Sequence, residues 1–391
     1  MQMSTAKPMD IRTNPLANRP VACAPGRASR PGAGLLNHAA MSAAKDTGVQ
    51  TVATGSASAH GEASSSNPEH ALPDRPNCPF CAGNERLTPP EVFAVGREPS
   101  AQPDSPGWTV RVVPNLYPAV GGPGRRHEVV VHSPRHIRQI AELTTDEVRS
   151  TARAWEARLI DASKDPAVRF FQVGLNEGRA AGDSLDHSHS QVLTLDFEPP
   201  LAVAESAATQ DEKNCVLCDL VQNPDNKRLV VASLGDEALA ICPPWSETAY
   251  ELLIVPLSHQ QSFAGKLDTL GWVLTTTSEL MKRLAGAHGC EDSGEEAASS
   301  QGVAYNLVIH TSLVEQGDRV TLTGENDRPH SPQQNSSVRH SAAGLPVASC
   351  GHWHAHVYPR IQIPASIELG SGLFVCSVLP EEAADTLRLP A

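Results

Sequence analysis

Read as a pattern of apolar and polar positions, the chain alternates between two textures. Short runs rich in β-branched residues and bounded by turn formers predict strands at Trp108–Val113, Glu128–His132, Phe170–Gly174, Gln191–Leu195, Leu229–Ser233, Tyr250–Val255, Tyr305–His310 and Trp353–Ile361. Two other segments repeat at helical spacing. The first opens with Thr144 and has Glu147 three residues on, a capping box, and it sets Val148, Ala152, Trp155 and Leu159 on one face. The second, Thr269–Leu284, carries Leu270, Val273, Leu274, Leu280 and Leu284 and is expected to end near Gly286. Strands dominate, many of them antiparallel, with one long helix in each half, so the expected fold class is α+β.

Three stretches break this pattern: about Pro31 to Arg75, Gly286 to Gly302 and Val314 to Ala348. Each is polar, rich in Gly, Ser and Pro and without periodicity, which predicts poorly ordered insertions into a core. With 391 residues the chain is long enough for two domains or for one fold with a duplicated core. Motif order points to duplication. In residues 1–200, CPFC, HSPRH, a long helix and HSHSQ follow one another; in residues 201–391, CVLC, PLSH, a helix and HWHAH repeat that order.

Charge and chemistry narrow the function. A net charge of −13 argues against a nucleic-acid partner, which would require a large basic face. Phosphorylated small molecules stay open, because a few local arginines and backbone N–H groups suffice for them. No apolar run approaches the roughly 18 to 20 residues of a membrane span, and MQMSTAKPMDIRTNP lacks the apolar core of a secretory signal, so a cytoplasmic location is expected. Of nine cysteines, Cys78/Cys81 and Cys215/Cys218 form CxxC pairs, the usual beginning of a zinc site in a reducing compartment.

The segment GLNEGRAAGDSLDHSHSQVLTLDF carries the most chemistry. On a strand, His187, His189 and Gln191 alternate with Ser188 and Ser190, so all three face one side at intervals of roughly 6.6 Å. Upstream, Gly178 and Gly182 allow close backbone approach to a ligand, with Asn176 and Ser184 adding polar contacts, as an anion cradle requires. An imidazole beside such a loop can attack phosphorus and divide one hard transfer into two easier ones.

These residues resemble the histidine-triad nucleotidyltransferases of the galactose-1-phosphate uridylyltransferase family, which carry Asn, a Gly-rich loop, Ser and HPHxQ; the matching positions are Asn176, Gly178, Gly182, Ser184, His187, His189 and Gln191. The resemblance implies that His189 is the nucleophile, His187 a zinc ligand and Gln191 a hydrogen-bond partner of the phosphoryl oxygens. Ser188 departs from the pattern by replacing the proline, which frees one φ angle. The resemblance further implies Arg27, Arg30 and Asn115 as nucleotide or sugar-phosphate ligands. It gives Cys78, Cys81, His136 and His187 as a closed, structural zinc set. For the second half it offers two complete sets: Cys215, Cys218, His259 and His352, like the second zinc site of plant-type relatives acting on ADP-glucose, and Glu205, His310, His354 and His356, like the second metal site, zinc or iron, of bacterial uridylyltransferases. Paired thiolates favour the cysteine set. His354 falls where the repeat would put a second nucleophile, but no Gly-rich loop precedes it.

The resemblance implies two histidine-triad-like halves, a homodimer, and transfer of UMP from UDP-glucose to galactose 1-phosphate through uridylyl-His189, so that a UDP-sugar and a sugar 1-phosphate are the expected partners. An ADP-sugar or dinucleotide phosphorylase with the same nucleophile is the alternative. A catalytically inactive zinc-stabilised nucleotide-binding protein is the alternative of another class, and hydrolysis of the intermediate by water is the remaining outcome.

Overall fold

The computed structural model describes residues 10–25, 27, 77–98, 100–288, 302–314 and 351–390, and within them the alternating runs pair into two sheets. The strands are β1 (Asp10–Asn14), β2 (Arg19–Cys23), β3 (Phe93–Val95), β4 (Val110–Pro114), β5 (Arg126–Val131), β6 (Phe170–Glu177), β7 (His189–Leu195), β8 (Val230–Leu234), β9 (Ala238–Ile241), β10 (Leu252–Pro256), β11 (Tyr305–His310), β12 (His354–Pro359) and β13 (Phe374–Cys376). Ten form one sheet in the order β3-β4-β5-β7-β6-β11-β12-β10-β9-β8. Every pairing in it is antiparallel.

Taken from each outer edge inward, the blocks read β3-β4-β5-β7-β6 and β8-β9-β10-β12-β11, the same internal order twice. They meet where β6 pairs with β11 and Asn176 stands opposite Asn306. The repeated strand order thus runs along the repeated motif order. A separate sheet of β1, β2 and β13 contains the parallel pairing of β13 with β2.

The helices are α1 (Thr145–Lys164), α2 (Pro200–Ala208), α3 (Val216–Gln222), α4 (Leu267–Ala287), α5 (Ser366–Ser371) and α6 (Pro380–Leu387). The Thr144 hydroxyl accepts the Glu147 N–H, and the Glu147 carboxylate accepts the Thr144 N–H at 2.8 Å, closing the capping box. α4 ends at Ala287, near Gly286 as expected, with the glycine itself inside the last turn. A single glycine costs about 1 kcal/mol in a helix, which does not end one whose Leu284 is still fully buried. The one long helix expected in each half is present as α1 and α4, and four short helices add to them. The four short helices span too few turns for a period to emerge, and α2 and α6 open on prolines that read as turns.

Val148, Ala152, Trp155 and Leu159 of α1 join Leu270, Val273, Leu274, Leu280 and Leu284 of α4 in one core, packed on Val130, Val192, Leu307 and Val357 of the sheet. Under α1, Arg158 meets Glu128 of β5 through bonds of 2.6 and 2.7 Å. Removing either partner would strand a buried charge at a cost of about 3–5 kcal/mol. Along β7 this core takes Ser190, Val192 and Thr194, which leaves His189, Gln191 and Leu193 half-buried on the opposite face.

Among the described residues no helix is long and apolar enough to cross a membrane. Gly286 and Ala287 lie inside α4, His288 follows it and the description resumes at Gly302; residues 289–301, 31–75 and 315–348 lie outside the described residues.

Candidate active site

The loop between β6 and β7 is built on two glycines with different duties. Gly178 has φ +84°, and a Cβ there would stand 2.8 Å from the Cβ of Ala304, so this backbone can lie against the second half only without a side chain. Gly182, φ +90°, closes the short 3-10 turn Arg179–Ala181 in the left-handed conformation. Asn306 of β11 fastens the loop by donating both amide hydrogens, to Asn176 Oδ1 at 2.7 Å and to the Ala181 carbonyl at 2.8 Å. Ser184 lines an open cleft of about 460 Å³ together with Gly178, Arg179, Asp183 and Arg138.

β7 begins at His189, so His187 sits in the bend before the strand and not on it, as the alternation had implied. His189 Nδ1 donates to the carbonyl oxygen of His187 at 2.8 Å. That bond fixes the tautomer: Nε2 keeps its lone pair and points away from its own backbone. The Phe80 ring packs edge-on against both imidazoles, at centroid distances of 5.8 Å to His187 and 5.5 Å to His189. Two residues on, Gln191 Oε1 lies 2.6 Å from Nε2 of His127.

Behind β7, Trp155 Nε1 donates to the Ser190 hydroxyl at 2.9 Å, and His132 spans Ser188 and Ser190 with ring nitrogens 3.0 and 2.9 Å from their hydroxyls. Burial holds the His132 imidazole well below its usual range, in the neutral form. Ser188 N–H also donates to the Ile137 carbonyl at 2.7 Å, a bond that proline at this position could not make. It ties the start of β7 to the loop that carries His136.

Three buried donor sets surround this sheet, and each can hold a metal ion: Cys78, Cys81, His136 and His187; Cys215, Cys218, His259 and His352; and Glu205, His310, His354 and His356. In the first, Cys78 Sγ lies 3.4 Å from His187 Nδ1, and Cys81 Sγ lies 3.4 Å from His136 Nδ1 and 3.8 Å from His187 Nδ1. A tetrahedral zinc with ordinary bond lengths separates sulfur from nitrogen by about 3.5 Å, so the spacing fits. His187 Nε2 faces the Ser133 carbonyl at 3.0 Å, which turns the Nδ1 lone pair toward the thiols. Burial pushes His187 down to about 4, the neutral state that coordination needs.

The second set repeats this geometry. Cys215 Sγ to His352 Nδ1 is 3.4 Å, Cys218 Sγ to His352 and His259 Nδ1 is 3.5 and 3.4 Å, and His352 Nε2 faces the Pro256 carbonyl at 3.0 Å. Burial drives His352 down to about 4 and the Cys218 thiol up to about 12, so a thiolate there at neutral pH calls for a cation among the four donors.

In the third set Glu205 Oε2 lies 2.6 Å from His310 Nδ1 and Oε1 lies 3.5 Å from His356 Nε2. Burial works to raise the Glu205 carboxyl, but His310, His356 and His354 outweigh it and hold it well below the usual range. The three histidines of HWHAH divide between two sets. β12 starts at His354, so His352 turns to the cysteines while His354 and His356 turn to Glu205. The two sets use different histidines, and neither is assembled at the other's expense.

Asn115 reaches the site through His127, its Nδ2 standing 3.2 Å from the ring. Arg27 follows β2 in the smaller sheet, where its N–H donates to the Ala24 carbonyl at 2.9 Å. Arg30 lies outside the described residues. Sequence reading passed over Phe80, His127, His132 and Asn306. Phe80 lies between the two cysteines of a CxxC, and His127 and His132 bracket the run Glu128–Val131, so their positions carried a signal; Asn306 carried none.

A sheet presenting a tautomer-fixed histidine beside a glycine loop, with three cysteine, histidine and glutamate sets assembled nearby, is the arrangement that the resemblance to galactose-1-phosphate uridylyltransferases implied. Residues 113–199, which include the loop and β7, match the family model described as "Galactose-1-phosphate uridyl transferase, N-terminal domain". The chain is 25% identical to an ADP-glucose phosphorylase of Arabidopsis thaliana, across 97% of this chain and 92% of that one. It is 23% identical to a galactose-1-phosphate uridylyltransferase of Thermotoga maritima, across 81% of this chain and 90% of that one. In fold it resembles the crystal structure of an Arabidopsis thaliana ADP-glucose phosphorylase with bound ADP-glucose, with TM-score 0.66 and 23% identity over 98% of this chain and 100% of that one. The relatives that the chain resembles along most of its length are thus named for phosphorolysis of ADP-glucose and for uridylyl transfer to galactose 1-phosphate.

Proposed function

We propose that this protein transfers a nucleoside monophosphate through His189, with an ADP-sugar as donor and inorganic phosphate as acceptor. The observation that carries the transfer step is the His189 Nδ1 to His187 carbonyl bond of 2.8 Å, which leaves Nε2 free on the same face as Gln191. In the first step Nε2 forms a bond to the α-phosphorus while the bond from that phosphorus to the bridging oxygen breaks, and sugar 1-phosphate departs with the electron pair. In the second a phosphate oxygen attacks the same phosphorus, the P–N bond breaks toward Nε2, and nucleoside diphosphate leaves with His189 restored. Gln191, Ser184 and the N–H groups of the 178–184 loop stabilise charge on the phosphoryl oxygens, each such donor contributing about 3–4 kcal/mol by analogy with oxyanion holes.

Two features support the ADP-sugar reading over the uridylyl one. Similarity to the Arabidopsis phosphorylase runs along nearly the whole chain, and the Cys215, Cys218, His259 and His352 set is assembled. Uridylyl transfer from UDP-glucose to galactose 1-phosphate is the second reading, favoured by the equally assembled Glu205, His310, His354 and His356 set. Zinc is the proposed ion for the two Cys2His2 sets, where it would brace the bends that carry His187 and His352 into β7 and β12 and take no part in bond making.

The test is turnover of two substrate pairs followed by chromatography of products. Glucose 1-phosphate and ADP from ADP-glucose plus phosphate is the expected result. Faster formation of UDP-galactose from UDP-glucose plus galactose 1-phosphate would reverse the order of the two readings, and no turnover of either would overturn both.

A further inference from the structure

The family pattern and the geometry both draw the eye to His189 and Gln191, yet the residue with the more revealing hydrogen bonds is His127. It lies on β5, one strand over from β7, opposite Leu193; Gln191 stands opposite Val129. His127 and Gln191 are therefore diagonal neighbours on the half-buried face that also carries His189, within reach of one another's side chains.

The imidazole is held at both nitrogens. The N–H of Ala119 donates to Nδ1 at 3.0 Å, so the lone pair is on Nδ1 and the proton of the neutral ring is on Nε2. Two groups face that proton. Asn115 Nδ2, at 3.2 Å, is itself a donor and cannot receive it; Asn115 Oδ1 is already engaged by the Tyr117 N–H at 2.9 Å. Gln191 Oε1, at 2.6 Å, is an acceptor. The proton on His127 Nε2 thus selects the oxygen end of the Gln191 carboxamide and turns its NH2 end away, toward the face of His189. A carboxamide without such a partner presents oxygen or nitrogen with nearly equal ease, and an oxygen presented to a phosphoryl group repels it.

We propose that His127 is the positioning residue of the transfer reaction: it fixes the Gln191 amide so that its NH2 group donates to the α-phosphoryl oxygens, and it couples that donor to the 115–119 loop. The inference rests on nucleotidyl transfer at His189. His127 touches neither the reacting phosphorus nor the nucleophile; it acts through Gln191. Because Asn115, Tyr117 and Ala119 are fastened to the same ring or to the residue beside it, any nucleotide contact that moves the loop also moves the amide. Binding and bond making are linked through one imidazole.

Two substitutions separate this role from a merely structural one. In Gln the side-chain NH2 can take the place of His Nε2, so His127→Gln keeps the donor to Gln191. In Asn the side-chain oxygen can take the place of His Nδ1, so His127→Asn keeps the acceptor for Ala119 and loses the donor. The measurement is the single-turnover rate of nucleotidylated protein at saturating ADP-glucose and at saturating UDP-glucose, with KM obtained separately. His127→Asn is expected to slow that rate about tenfold or more, in the range found when the partner of an active-site group is removed, with KM changed far less. His127→Gln is expected to restore most of it.

The same His127→Asn change placed on Gln191→Ala is expected to cost little further, since the residue it acts through is gone. Equal losses for the Asn and Gln variants, or a full additional loss in the Gln191→Ala background, would overturn the proposal. Metal content and melting temperature, measured on each variant, report misfolding separately. If the unaltered protein forms no adduct with either nucleotide, it is the transfer reading that has failed; if it forms one at a rate His127→Asn does not change, His127 has no such role.

Discussion

The imidazole of His189 donates its Nδ1 proton to the carbonyl oxygen of His187 at 2.8 Å. His354 makes the same bond to His352 at 2.9 Å in the second half, but there the outer nitrogen is 3.1 Å from His356 Nε2 and turned in among the Glu205 set. Among the described residues, the first repeat alone sets this histidine outside a metal-donor group and after a glycine loop. After reaction with a nucleotide sugar and no acceptor, digestion is expected to give one nucleotidylated peptide, the one containing His189. Label on the peptide containing His354 would show that both repeats react.

The Cys2His2 sets are expected to hold one zinc each, in line with their sulfur to nitrogen spacing of 3.4–3.8 Å. Cys78→Ser and Cys215→Ser should each lower bound zinc by one equivalent and lower the melting temperature by several degrees, because a metal that binds only the folded chain adds its binding free energy to folding. Unchanged metal content in either variant would remove that set from the account.

Ser190 is fully buried and takes the Trp155 indole N–H at 2.9 Å while meeting His132 at 2.9 Å. Ser190→Ala leaves those two groups facing an alkyl surface, and an unmet buried polar group costs about 1–3 kcal/mol. Urea denaturation is the measurement, with an unchanged midpoint as the contrary result. The nucleophile strand loses its support from behind at the same position, so adduct formation should slow as well.

Glu177 ends β6 just ahead of the loop, and burial pushes its carboxyl up to about 7 even though the Ile140 N–H donates to it at 2.8 Å. The folded chain therefore keeps a proton that the unfolded chain releases above its ordinary value of 4.5. Its contribution is fully present below that value and is lost as pH rises toward about 7, a total on the order of 3 kcal/mol. Glu177→Gln should flatten this part of the stability profile, and an identical slope from pH 5 to 7 in both proteins would contradict it.

Much of the site could be read from residue order because its chemistry depends on short spacings. A CxxC, an HxH and the Gly178–Ser184 loop keep their geometry wherever the chain carries them, and the twelve ligands that the family resemblance implied lie together in three groups. What stayed hidden depends on register between strands distant in sequence. His127 meets Gln191 only because β5 pairs with β7 in one register, and Asn306 reaches the loop only because β11 pairs with β6 across the two halves. The parting of His352 from His354 was hidden for the same reason. Alternation gives a side chain's face, but where the strand begins decides which side chains obey it.

The central claim is that His189 carries the nucleotide, and intact-protein mass spectrometry tests it most directly. Protein mixed with ADP-glucose, and separately with UDP-glucose, each without acceptor, is compared with His189→Ala treated alike. The account predicts a nucleotidyl mass increment, adenylyl for the favoured reading, that is absent from the variant while both proteins carry the same metal. An equal increment in His189→Ala would contradict it.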